Sequence, residues 1–122
     1  MMASVLVLDD SASVRQMIKM ALADKGHTIV SAANGVQGLQ ILHSTPFDLI
    51  ITDLNMPEMD GLTFTREVRK QPSHKGVPIL FVTTESREAV KQEAKSAGAT
   101  GWINKPFSSE QLCRVVEKVL CK

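Results

Sequence analysis

Five short apolar runs, none with a regular polar alternation, punctuate the chain at residues 5–8, 28–32, 49–51, 79–82 and 101–104, the second being the weakest. A continuous apolar run of this length suits a strand buried on both faces, as in a parallel sheet. The stretches between them repeat at helical spacing. Val14, Met17, Ile18, Ala21 and Leu22 make the first such face, closed by Gly26, and Ser11 or Ser13 can cap it, with Gln16 at capping-box distance from Ser13. Asn34 and Gly35 open a second helix through Val36, Leu39 and Leu42, which stops before Pro46. Leu62, Phe64 and Val68 mark a third, and residues 87–97 a fourth with a thin apolar side (Val90, Ala94, Ala97) ended by Gly98. Ser108 with Gln111 begins the fifth, whose apolar face is Leu112, Val115, Val116, Val119 and Leu120. Pro78 falls at the start of the fourth strand, where a missing N–H is tolerated. Five strands alternating strictly with five helices predict one α/β domain over residues 1–122, a doubly wound parallel sheet with right-handed crossovers.

Composition agrees with an ordinary globule. The chain has 122 residues, 43% hydrophobic and 22% charged, enough for a single core. A formal net charge of +1 gives no bulk attraction to nucleic acid or to a membrane surface. The N-terminal apolar run is too short for a signal peptide or a membrane span. Cys113 and Cys121 fall on one helix, their Cα atoms about 12 Å apart at the helical rise, too far for a disulfide. Reduced thiols in a cytoplasmic protein are the expectation. No His or Cys cluster has metal-ligand spacing, and His27, His43 and His74 read as isolated residues on polar positions.

Four of the five strands end in a residue capable of chemistry: Asp9 and Asp10 after the first, Asp53 after the third, Thr83 after the fourth and Lys105 after the fifth. In a parallel sheet these ends share one edge, where open α/β sheets bind ligands. Asp53 on its own reads equally as an aspartate that merely caps its loop; the other strand ends decide for a site. Three close carboxylates raise one another's pKa unless a cation joins them. Lys105 supplies one positive charge and a divalent ion would bring the sum to zero. With oxygen donors and no His or Cys, Mg²⁺ is the expected ion. A carboxylate nucleophile with Mg²⁺, a lysine and a hydroxyl describes phosphoryl transfer to aspartate. Asp53 is the acceptor in this reading. Asp10, and Asp9 through water, hold the metal, and Thr83 and Lys105 meet the phosphoryl oxygens.

Leu8-Asp-Asp-Ser11, Thr52-Asp-Leu-Asn-Met-Pro-Glu-Met-Asp-Gly61, Val82-Thr83 and Ala97-Gly-Ala-Thr-Gly-Trp-Ile-Asn-Lys-Pro-Phe107 together resemble the receiver domain of two-component response regulators, in particular the single-domain CheY-like chemotaxis type. The resemblance spans the chain in order and spacing. It implies the flavodoxin-like (βα)5 fold with sheet order 2-1-3-4-5. It also implies a phosphohistidine donor on a sensor histidine kinase, and Mg²⁺ on Asp10, Asp53 and the backbone carbonyl of Asn55. It further implies a switch through Thr83 and Trp102, a cis Lys105–Pro106 bond, and short-lived phosphorylation tuned by Asn55 and Glu85, with intrinsic autophosphatase activity. Trp102 stands where chemotaxis relatives more often carry Tyr, and Thr84 where Ala or Gly is usual. The implied effector surface is the fourth helix, fifth strand and fifth helix of a monomer, with the flagellar motor switch as one candidate partner. Arg87, Lys91 and Lys95 recur every four residues, either as a solvated stripe or as part of that surface. An apolar residue stands near Lys91 in motor-binding relatives. A phosphate sink without effector is the alternative. A phosphohydrolase resembling the haloacid dehalogenases is the disfavoured expectation, because Asn55 occupies the position of their general-acid aspartate and 122 residues leave no room for a cap domain to select a substrate.

Overall fold

The alternating apolar runs fold into a single parallel sheet flanked by helices; the computed structural model describes residues 2–121. In chain order the elements are β1 (Ser4–Leu8), α1 (Ala12–Ala23), β2 (Thr28–Ala32), α2 (Gly35–Ser44), β3 (Leu49–Thr52), α3 (Gly61–Lys70), a 3-10 turn (Pro72–His74), β4 (Ile79–Thr83), α4 (Glu88–Ala97), β5 (Gly101–Asn104) and α5 (Ser109–Leu120). The strands lie in the order β2-β1-β3-β4-β5, every pair parallel. This is the flavodoxin-like arrangement with the order that the resemblance implies.

The period of two along each strand sorts the core into two layers. Val5, Val7, Leu49, Ile51, Leu80, Val82 and Ile103 pack on one side against Ile18 and Leu22 of α1 and Leu112 and Val116 of α5. Leu6, Leu8, Ile50, Ile79 and Phe81 pack on the other against Leu42, Phe64, Val68 and Ala94 of α2, α3 and α4. The inner strands β3 and β4 are buried at every position, whereas the edge strand β2 is half exposed. That difference explains why the second run was the weakest in the sequence.

Side-chain caps set four helix starts. Ser11, Asn34, Asp60 and Ser108 accept from the backbone N–H of Val14, Gln37, Thr63 and Gln111. Each such bond contributes about 1 kcal/mol. Ser11 is the cap of α1, so the Ser13–Gln16 box does not form: Ser13 is already inside the first turn. The reason is the early end of β1, which leaves Ser11 in extended backbone just before the turn begins. The start of α4 differs, since Arg87 at its N-cap makes no side-chain capping bond. Its far end is well anchored. Gly98 takes the left-handed conformation (φ 117°) that closes the helix, and the Arg69 guanidinium of α3 donates to the Gly98 carbonyl at 2.7 and 3.2 Å and to those of His74 and Lys75.

Two of the histidines depart from the sequence expectation. His27 and His74 are buried, at 8% and 7% exposure. The His27 Nδ1 accepts the Ala3 N–H at 3.1 Å, and the His74 Nε2 lies 3.3 Å from the Leu42 carbonyl. Their polar sequence neighbours suggested solvent, but each sits where the chain turns back under the sheet and satisfies a backbone group there. Cys113 is buried, Cys121 lies just past α5, and both are free thiols. Among the described residues no helix is long and apolar enough to cross a membrane.

Candidate functional site at the carboxyl edge of the sheet

The backbone ladder runs one residue past the strands and thereby fixes the site. Asp9 N–H donates to the Ala32 carbonyl, Asp53 N–H to that of Leu8 and Lys105 N–H to that of Thr83. This holds Asp9 and Asp53 at adjacent strand ends and Lys105 at the end of β5, one strand beyond β4, with Asp10 next along from Asp9. Carboxylate oxygens of Asp9, Asp10 and Asp53 all lie within 4.8 Å of one another.

The Lys105 ammonium bridges two of them, donating to Asp9 Oδ2 at 2.9 Å and to Asp53 Oδ2 at 3.0 Å. Asp9 is almost fully buried, and its other oxygen, Oδ1, accepts from the Ser11 N–H. Burial pushes the Asp9 carboxyl above its ordinary range and the nearby Asp53 charge adds to this, although the hydrogen bonds from Lys105 and Ser11 oppose it. For Lys105, burial acts downward, yet the bonds to Asp9 and Asp53 and their charges outweigh it and the pKa rises. Asp53 Oδ1 accepts the Leu54 N–H at 2.6 Å. Asp10 is exposed and Asp53 is 8% exposed.

Three carboxylates and one lysine leave an excess of two negative charges if all are ionised. The donor set is oxygen only, which suits a hard divalent ion of the Mg²⁺ kind. Asp9 and Asp53 each use both oxygens in hydrogen bonds, so the exposed Asp10 carboxylate is the one left free to meet an ion first, with the Asp9 and Asp53 oxygens within reach of the same point.

Gly61 is forced by packing. A Cβ there would run into the Asp53 carbonyl oxygen, and its N–H donates to the Leu54 carbonyl, closing the loop after Asp53. Within this loop Met59 N–H bonds the Pro57 carbonyl around Glu58, a non-glycine at φ 67°. A left-handed residue inside a three-residue turn is a strained conformation. Asn55, two places after Asp53, is exposed in the same loop.

Thr83 ends β4 fully buried, its Oγ1 accepting from the Glu85 N–H at 3.2 Å, which leaves the hydroxyl proton free to donate elsewhere. Glu85 is paired with Arg87 at 2.9 Å, and that hydrogen bond holds the Glu85 carboxyl down to about 2. Thr84 is exposed. Trp102 lies two positions back along β5, in register with Phe81 rather than Thr83, and its ring stacks on Phe81 with centroids 5.6 Å apart. The Lys105–Pro106 bond is cis.

Of the residues singled out from the sequence, Asp9, Asp10, Asp53 and Lys105 therefore gather in one cluster. Thr83 sits at the neighbouring strand end, Asn55 and Glu85 lie in the flanking loops, and Trp102 is two positions back along its strand. Sequence reasoning missed Asn104, whose Nδ2 donates to the Glu85 carbonyl at 2.8 Å and ties the loop after β4 to β5. Its signal was positional: it precedes Lys105 and pairs in register with Thr83. Arg15, which donates to the Asp9 carbonyl from α1, had no such signal.

Comparison with known proteins agrees with this geometry. The family model described as response regulator receiver domain matches residues 5–117. The chain is 39% identical to the chemotaxis protein CheY of Pseudomonas aeruginosa over 116 residues, 94% of either chain. It superposes on the chemotaxis response regulator CheY4 of Vibrio cholerae with a TM-score of 0.94 at 46% identity, covering 98% of this chain and all of that one. The receiver domain of a Pseudomonas aeruginosa sensor histidine kinase, whose active-site cleft coordinates a magnesium ion, shares the fold at a TM-score of 0.91 and 24% identity over the full length of both. The chain belongs to the response regulator receiver domain family and is CheY-like in sequence and fold.

Proposed function

We propose that this receiver takes a phosphoryl group from the phosphohistidine of a sensor histidine kinase onto Asp53. An Asp53 carboxylate oxygen attacks phosphorus as the P–N bond to the donor imidazole breaks. The bonding pair leaves with that nitrogen, and an aspartyl phosphate results. The observation carrying this reading is the Lys105 ammonium shared between Asp9 and Asp53. It gives the acceptor a fixed orientation and places a cation beside the oxygens where charge collects. Asp10, Asp53 and the Asn55 carbonyl would hold Mg²⁺, with Asp9, the most deeply buried of the three carboxylates, acting through water. The ion would supply charge neutralisation for the incoming phosphoryl group.

Thr83 then donates its free hydroxyl to a phosphoryl oxygen, drawing the loop after β4 with it. Trp102, diagonal to Thr83 on the same face of the sheet, follows as the aromatic switch. The altered α4–β5–α5 surface binds a downstream protein by population shift, in chemotaxis signalling and with the flagellar motor switch as the candidate effector. Asn55 and the ionised Glu85 flank the acceptor and set the phosphoryl lifetime by controlling the approach of water.

Incubation of the chain with Mg²⁺ and acetyl phosphate, followed by mass spectrometry, tests the acceptor. The expected result is one added phosphoryl group mapped to Asp53 and absent in Asp53→Asn. No gain, or a gain mapped elsewhere, refutes the proposal. Pull-downs with and without beryllofluoride separate an effector switch, which enriches a partner, from a phosphate sink, which enriches none.

A further inference from the structure

Lys91 and Trp102 stand in an arrangement that the phosphoacceptor chemistry leaves unused. The indole of Trp102 meets two side chains from neighbouring elements. One face lies on Phe81, nearly parallel at 4°, and the Lys91 ammonium of α4 sits 5.9 Å from its ring centroid. The indole Nε1–H is buried and has no hydrogen-bond partner. Nothing polar therefore holds the ring where it is, and an orphaned buried donor favours any position that offers an acceptor. Lys91 makes no ion pair among the described residues, although Glu88 lies on the same helix one turn earlier; Glu88 accepts instead from Gln92 at 3.1 Å. The other two cations of the stripe differ: Arg87 is paired with Glu85, and Lys95 is exposed.

We infer that Lys91 is a positioning residue that latches Trp102 over Phe81 through a cation–π contact. It thereby sets how readily the ring leaves this position when Asp53 is phosphorylated, an inference that rests on the receiver reading above. The chemistry is specific. An indole face attracts a cation more strongly than a phenol or phenyl face, so a lysine at this position is matched to a tryptophan. The contact joins α4 to β5, and Phe81 of β4 stacks on the same ring. Removing the charge weakens only the resting position, because a displaced ring no longer lies under the ammonium. The latch opposes the switch and acts as a threshold. A contact of this strength alters the resting-to-displaced equilibrium about two- to fivefold.

Trp102 is the only tryptophan, so 5-fluorotryptophan labelling of the full chain gives a single ¹⁹F resonance. The probes are Mg²⁺ alone for the resting state and Mg²⁺ with beryllofluoride for the activated state, in wild type, Lys91→Met and Lys91→Arg. Met keeps the length and apolar stem without the charge, and Arg keeps the cation. The expected result is a resting resonance in Lys91→Met displaced toward the activated position by about a two- to fivefold change in equilibrium. Lys91→Arg should stay at the wild-type position. A Lys91→Met resonance identical to that of a responsive wild type overturns the latch and leaves the receiver reading intact. Equal displacement in Met and Arg variants overturns it too, since shape and not charge would then matter. A wild-type resonance that ignores beryllofluoride, with the Asp53 adduct verified by mass, removes the aromatic switch and the latch with it.

Discussion

The Lys105 ammonium and the Asp9 carboxylate lie 96 positions apart in the chain and 2.9 Å apart in space. Their meeting is a direct result of parallel topology, which brings the ends of β1 and β5 to one rim across the two strands between them. Lys105 also reaches Asp53, so a single side chain joins the outer end of the sheet to its centre.

Replacing Lys105 by Met should lower stability by about 1–3 kcal/mol in metal-free buffer, because Asp9 then stays buried without its counter-charge. The pKa of Lys105 is raised in the folded chain. Its contribution is thus complete below the ordinary 10.5 and is lost as pH rises through the folded value. Urea unfolding at several pH values checks both points: the gap between wild type and variant narrows on the alkaline side as Lys105 loses its proton, and on the acid side once Asp9 is protonated. A gap already closed at neutral pH would contradict the bridge.

Magnesium should stabilise the fold. Binding to the native state alone raises stability by about 2.7 kcal/mol at one hundred times the dissociation constant. Thermal unfolding with Mg²⁺ and with chelator measures this, and Asp10→Asn should abolish most of the difference while leaving the metal-free protein at least as stable as wild type. That second effect follows from relief of like-charge crowding among Asp9, Asp10 and Asp53.

The Glu85 carboxyl should titrate near 2 by carbon-detected NMR, and Arg87→Ala should return it toward its ordinary 4.5. Since the folded value is depressed, the pair's contribution to stability is present above 4.5 and disappears as pH falls toward 2. A wild-type midpoint near 4.5 would show that the pair does not persist in solution.

Gly61→Ala should destabilise by about 3 kcal/mol, among the larger point-mutation effects, because the methyl group meets the backbone oxygen of Asp53 and not a movable side chain. Ala at Gly76, which faces open space, is the control and should be close to neutral. Urea midpoints of the two variants decide it.

The strands and helices were legible because each apolar run matched its burial, most clearly in β3 and β4, which are covered on both faces. The cluster was legible because strand-end chemistry in a parallel sheet has only one place to go. What stayed hidden depends on three-dimensional return of the chain. His27 and His74 sit among polar neighbours in sequence and are buried only because turns fold them under the sheet. The Lys91–Trp102–Phe81 contacts needed the α4 position of Lys91 and the register of β4 with β5, neither of which a helical stripe reveals. The competition between Ser11 and Ser13 turned on where β1 stops, a boundary that spacing does not resolve.

The uneven fastening of α4 has a mechanical consequence. One extremity is pinned by the forked Arg69 side chain at Gly98, while the opposite extremity, at Arg87, has no side-chain capping bond and is tied instead to Glu85 in the loop after Thr83. The helix is thus a lever with its fulcrum distant from the aspartate rim. A tug on the loop would reach it through the Glu85–Arg87 pair and tilt it about Gly98, with the largest displacement at the Arg87 tip.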